Sequence, residues 1–103
     1  MGEDKRHSKR RMIIVEVRYE GGGLRGQTRI SDMSETGVYV DVMSPLPEGV
    51  PLQLEFRLPG GHEIRAEGIV VRSEPRIGMA IRFTQIAPED QQQIAEIITR
   101  QER

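Results

Sequence analysis

Ile30-Ser31-Asp32-Met33-Ser34-Glu35-Thr36-Gly37-Val38 separates two runs in which apolar and polar residues alternate. Upstream, Leu24, Gly26, Thr28 and Ile30 face one way and Arg25, Gln27 and Arg29 the other. Downstream, Val38, Val40 and Val42 take every second place. A period of two marks a strand with one wet face. The stretch is therefore a corner where one strand ends and the next begins. Its side chains also suit a loop that holds something. Asp32 offers two carboxylate oxygens to N–H donors, and Ser34 can donate or accept. Gly37 permits a backbone angle or a close approach that a Cβ would block. The plainer reading is a turn, since short polar residues at this spacing bond back to their own backbone.

Outward from the corner the same period recurs. Met12 to Tyr19 reads as the first strand, with Ile13, Val15, Val17 and Tyr19 on one face. Leu24 to Ser31 is the second, after the turn Glu20-Gly21-Gly22-Gly23, and Thr36 to Val42 the third. Ser44-Pro45-Leu46-Pro47-Glu48-Gly49 breaks the pattern, because proline has no N–H for a ladder. Val50 to Leu58 is the clearest strand, its five apolar residues contributing ~1.5–3 kcal/mol each when buried. Pro51 belongs at its start or edge. Glu63 to Ser73 follows the turn Pro59-Gly60-Gly61, and Ile77 to Thr84 follows Glu74-Pro75-Arg76. The period then changes. Pro88, Glu89 and Asp90 suit a helix's first turn, and Ile94, Ile97 and Ile98 mark its apolar stripe. Six strands in consecutive hairpins and one C-terminal α-helix predict an all-β fold, a six-stranded antiparallel β-barrel.

Composition narrows the function. The 103 residues make one domain, and with no Trp its core is aliphatic. With no Cys there is no disulfide, thiol nucleophile or thiolate metal site, which fits a cytoplasmic protein. His7 and His62 are too few for a metal centre. No apolar run is long enough to span a membrane, and the first residues do not read as a signal peptide. No nucleophile, base and orienter are tied together by spacing, so no catalytic residue is assigned and the chain reads as a non-enzyme.

Charge is unevenly placed. Residues 1–11 carry five Lys or Arg against two acids, a net +3. Residues 12–103 carry ten Arg against fourteen Asp and Glu, a net −4. The chain thus divides into a flexible basic arm, 1–11, and a barrel with its helix, 12–103. Within the arm, Arg6 and Arg10 stand four apart. A guanidinium is planar, permanently charged and bidentate, and suits phosphate oxygens or the O6/N7 edge of guanine. Asp32 is the complement, able to accept from the N1 and N2 donors of guanine's other edge.

Arg6-His7-Ser8-Lys9-Arg10 followed by Asp32-Met33-Ser34-Glu35-Thr36-Gly37 resembles the PilZ domain family, whose signature is Arg-x-x-x-Arg and then Asp/Asn-x-Ser-x-x-Gly. The likeness extends to Gly78-Met79-Ala80-Ile81-Arg82-Phe83 and to the helix after Pro88. It implies a PilZ-like split barrel that binds the bacterial second messenger cyclic di-GMP. It further implies that Arg6 and Arg10 hold phosphate and guanine, and that Asp32, Ser34 and Gly37 form the guanine-facing surface. Lys5 precedes Arg6, as a basic residue does in members that take up a stacked pair of nucleotides. No other cofactor is implied.

A mechanism follows from the arm's chemistry. Clustered cations repel until an anion arrives; each charge-assisted bond then contributes ~1.5–3 kcal/mol. That opposes ordering costs of ~1–2 kcal/mol per residue. The ligand would clamp the arm on the barrel and present a new surface to a separate downstream protein, as an adaptor does. Two other readings compete. One is a nucleotide-independent interaction scaffold of the same fold. The other is a nucleic-acid binder, against which stand an acidic body and four aromatic residues at strand positions.

Overall fold

The computed structural model describes residues 10–101. In chain order it contains β1 (Arg10–Arg11), β2 (Val15–Gly21), β3 (Leu24–Ser34), β4 (Gly37–Asp41), β5 (Pro51–Arg57), β6 (Glu63–Glu74), β7 (Gly78–Ile86) and α1 (Pro88–Gln101). All pairings are antiparallel. Around the ring the order is β3-β2-β5-β6-β7-β4, and β4 pairs back to β3. Six strands therefore close into a barrel, and the two-residue β1 adds to β3 outside the ring.

The expected alternation forms the core. On β5, Leu52, Leu54 and Phe56 are buried while Gln53 and Arg57 are exposed. Val17, Ile30, Val38, Val40, Ile64, Val70, Met79 and Ile81 complete the lining from the other strands. Pro51 opens β5, where its missing N–H costs least. The outer surface of β2, β5 and β6 carries cross-strand ion pairs. Glu55 accepts from Arg18 at 2.7 Å and lies 3.1 Å from Arg65, and Arg57 meets Glu63 at 3.0 Å.

Consecutive hairpins do not account for the closure. β2–β3, β3–β4, β5–β6 and β6–β7 are hairpins, but β4 leaves β5 and pairs with β7, while β5 pairs with β2. The segment between β4 and β5 holds Pro45-Leu46-Pro47, whose prolines lack N–H donors for a ladder; it forms no strand and buries Leu46. Strand bounds shift for similar local reasons. Met12 to Ile14 link β1 to β2 with Ile13 alone buried, and the second strand runs past Ser31 to Ser34.

Helix α1 has Glu89 and Asp90 in its first turn and Arg100 in its last, matching its dipole. Ile94, Ile97 and Ile98 are buried, and the helix packs on β3 and β1. Two side chains fix its start. Gln91 Nε2 donates to the Glu35 carbonyl at 2.8 Å, and His62 Nε2 lies 2.8 Å from Asp90 Oδ1. Among the described residues no helix is long and apolar enough to cross a membrane.

Candidate functional site

The corner is tighter than its sequence implies. β3 continues through Asp32, Met33 and Ser34, and Glu35–Thr36 alone make the turn. The strand carries an extra residue there, since the register on β4 steps from Ile30↔Val40 to Asp32↔Tyr39 and leaves Ser31 over. A bulge of one residue reverses the faces beyond it. Ile30 and Met33 are both wholly buried, an odd spacing that period two forbids. Met33 anchors the corner in the core, and Asp32 is thereby turned to the outer face beside Tyr39.

Ser34 is buried, and its hydroxyl is engaged within the turn. It accepts the Thr36 N–H at 3.1 Å, lies 3.1 Å from the Thr36 hydroxyl and donates to the Gly37 carbonyl at 3.4 Å. The Thr36 carbonyl in turn accepts the Phe83 N–H at 2.8 Å, docking the corner on β7. At Gly37 a Cβ would collide with the Ile81 carbonyl oxygen, so the close approach it allows is that of β7.

The cationic lead-in reaches this corner through its backbone. Arg10 pairs with Ser34 and Arg11 with Met33. Arg10 therefore lies beside the strand that carries Asp32 and Ser34. Of Arg10 the backbone is described; Lys5 and Arg6 lie outside the described residues. The structure thus brings Arg10, Asp32, Ser34 and Gly37 to one locality.

A cleft of about 250 Å³ opens beside Asp32 on the outer face of β3, β4, β7 and β6. Its residues line up across the strands: Asp32 faces Tyr39, Tyr39 faces Ala80, and Ala80 faces Arg72. A second bulge makes this row. Between Val70↔Ile81 and Arg72↔Ala80 the register leaves Val71 over. Arg72, which would otherwise follow buried Val70 inward, is turned outward with Val71. Arg82 stands on the rim beside Gly37. The floor is low because Ala80 and Gly78 carry little side chain; a Cβ on Gly78 would meet Tyr39 Cε2 at 2.7 Å.

Tyr39 holds the middle of the row. Its hydroxyl donates to Glu74 Oε1, and the Arg72 guanidinium lies 5.8 Å from its ring centroid. Partial burial, and then the hydrogen bond to the Glu74 carboxylate, push the phenol up from its usual 10.0 to about 12. Tyr39, Val71, Arg72 and Arg82 were outside the sequence reading of the site. A trace of the second bulge exists in Ile69-Val70-Val71, where three apolar residues in succession interrupt the alternation. A larger hollow of about 550 Å³ lies over β2, β3 and β5, away from the corner, and its Arg18 is already paired with Glu55.

Residues 4–100 match the model of the PilZ domain. The chain belongs to the PilZ domain family. Solved structures share the fold of this PilZ domain. The inhibitor of motility MotI/DgrA from Bacillus subtilis superposes with a TM-score of 0.85 at 23% identity, over 94% of this chain and 51% of that one. The PilZ domain of YcgR from Escherichia coli, solved with c-di-GMP, gives 0.75 at 16% identity, over 97% of this chain and 93% of that one. PlzA from Borreliella burgdorferi, in complex with c-di-GMP, gives 0.64 at 19% identity, over 94% of this chain and 42% of that one. This PilZ domain thus spans about half the length of MotI/DgrA. No curated protein matches it significantly by sequence.

Proposed function

We propose that this PilZ domain is a receptor for cyclic di-GMP that acts as an adaptor. The ligand orders the Arg-x-x-x-Arg arm against the Asp-x-Ser-x-x-Gly corner, and the new surface is read by a separate protein. The observation that carries this reading is the register of β1, which sets the backbone of Arg10 against Ser34. A two-residue strand is a weak attachment, since it gains few ladder bonds against the entropy of ordering. An anion shared between the arm's guanidiniums and the corner would strengthen it. The ligand's phosphates suit Lys5, Arg6 and Arg10, and its guanine donors suit Asp32. Two of the structural neighbours were solved with c-di-GMP, which supports the same choice of ligand.

A second reading has one observation in its favour. Ser34 is occupied by its own turn and Gly37 by the approach of β7. Both motif residues could thus serve the fold alone, in a scaffold that needs no nucleotide. Calorimetric titration with cyclic di-GMP separates the two. The receptor reading expects micromolar or tighter binding that Arg10→Ala or Asp32→Ala weakens tenfold or more, about 1.4 kcal/mol. A folded wild-type protein that takes up no cyclic di-GMP at micromolar concentration overturns it.

A further inference from the structure

The turn between β6 and β7 lies at the end of the barrel remote from the corner. β4 runs from Gly37 to Asp41, and Asp41 faces Gly78, the first residue of β7. At ~3.3 Å per residue, Met43 stands about 20 Å from Thr36. In the turn Glu74-Pro75-Arg76-Ile77, the Ile77 N–H donates to the Glu74 carbonyl at 3.0 Å. Pro75 suits the first central place of such a turn. Arg76 does not suit the second, since its φ of 70° lies in the left-handed region that favours glycine. Gly22, Gly23, Gly49, Gly60 and Gly61 fill the other positive-φ places, and among the described residues Arg76 is the one non-glycine there.

The turn is bonded to the chain just past β4. The Arg76 N–H donates to the Met43 carbonyl at 2.8 Å, and the Val42 N–H to the Ile77 carbonyl at 3.3 Å. Met43 and Ile77 thus become neighbours, 70% and 62% exposed. One apolar side chain in water is ordinary. Two adjacent ones beside an arginine make a patch. Arg76 is exposed, and among the described residues no carboxylate pairs with it. Arg18, Arg25, Arg29, Arg57, Arg65 and Arg72 each have a carboxylate. Glu74, two residues away, is engaged by Tyr39 and Arg72.

We propose that Met43, Arg76 and Ile77 form a docking site for an acidic segment of a partner protein that also carries an aliphatic side chain. The segment's carboxylate pairs with the Arg76 guanidinium, a planar fork that matches it bidentately. Its aliphatic side chain rests on Met43 and Ile77, and the unbranched methionine adapts to its shape. A side chain held on backbone that disfavours it points to a use for that side chain. Charge selects an acidic peptide over a membrane, because residues 12–103 carry a net −4 that an anionic lipid surface would repel. The site needs no nucleotide and does not rest on the receptor reading.

The test selects peptides from a random library displayed on phage against the full chain. Fluorescence anisotropy then measures the selected peptides on wild type, Arg76→Gly and Ile77→Ser, with thermal unfolding of each protein. Selected peptides are expected to place Asp or Glu beside an aliphatic residue. Arg76→Gly and Ile77→Ser are expected to bind them about tenfold more weakly. Arg76→Gly is expected to unfold at a higher temperature than wild type, because glycine relieves the turn; its weaker binding is then no sign of misfolding. The proposal is overturned if no peptide is enriched, if the enriched peptides lack acids, or if they bind Arg76→Gly as tightly as wild type. Arg76→Gly melting below wild type overturns the argument from backbone cost. Sedimentation of wild type with phosphatidylglycerol vesicles, without peptide enrichment, overturns the choice of a protein partner.

Discussion

Ile30 and Met33 stand three residues apart on β3, and both side chains end in the core with no measurable exposure. Only the extra residue at Ser31 makes that possible. Met33 is thus the pin that sets the facing of Asp32. Met33→Ala is expected to lower stability by ~2–5 kcal/mol, the range for emptying a buried site of that size. Chemical denaturation measures it. A loss below about 1 kcal/mol would show that the corner holds its shape without this anchor.

Ser34→Ala removes a hydroxyl that serves Thr36 and Gly37. Leaving such groups unsatisfied costs about 1–3 kcal/mol. The damage should be local. Hydrogen exchange at the Thr36 and Phe83 amides is expected to accelerate, since the Thr36 carbonyl docks the turn on β7. Unchanged exchange at both amides would mean that the hydroxyl does not hold the turn.

Gly37→Ala drives a methyl group at the Ile81 carbonyl. Strands β4 and β7 must separate, with a cost of ~1–3 kcal/mol in the manner of an overpacked core. A lowered melting temperature checks this without any ligand. Binding data on this variant bear on the site only at temperatures where it is folded.

Tyr39→Phe keeps the ring beneath Arg72 and removes the bond to Glu74. The folded phenol titrates at about 12, above its ordinary 10.0, so folding favours the protonated form. That stabilisation is complete below pH 10 and is lost as pH rises through about 12. Tyrosinate absorbance is expected to lose its step near pH 12 in Tyr39→Phe, and alkaline unfolding above pH 10 to become less steep. A step that survives the substitution would show that it does not belong to Tyr39.

Much of this was legible in the chain, for a physical reason. Leu52, Leu54 and Phe56 alternate because one face of β5 is dry, and Ile94, Ile97 and Ile98 recur because one stripe of α1 is. Such local periods survive in sequence. Closure does not. Tyr39 and Arg72 meet only because β4 leaves its neighbour in sequence and pairs with β7, which already holds β6. Nothing between residues 39 and 72 announces that contact. The pairing of Arg10–Arg11 was hidden for another reason, since a ladder is made by backbone groups and two arginines carry no apolar signal. Asp32, Ser34 and Gly37 stood out as a polar motif. Met33, at its centre, passed as filler because a lone methionine among polar residues has no period.

The ladder between β2 and β3 ends at Val15 and Ile30, and past that point β1 covers the same side of β3. A chain without Arg10–Arg11 would bare the amides and carbonyls of Met33–Ser34 along a raw rim. Exposed rims of that kind recruit any extended peptide, including another copy of the same chain. The short basic strand is therefore expected to guard against self-association as well. Light scattering from a truncated protein should rise with concentration where that of the intact chain stays flat.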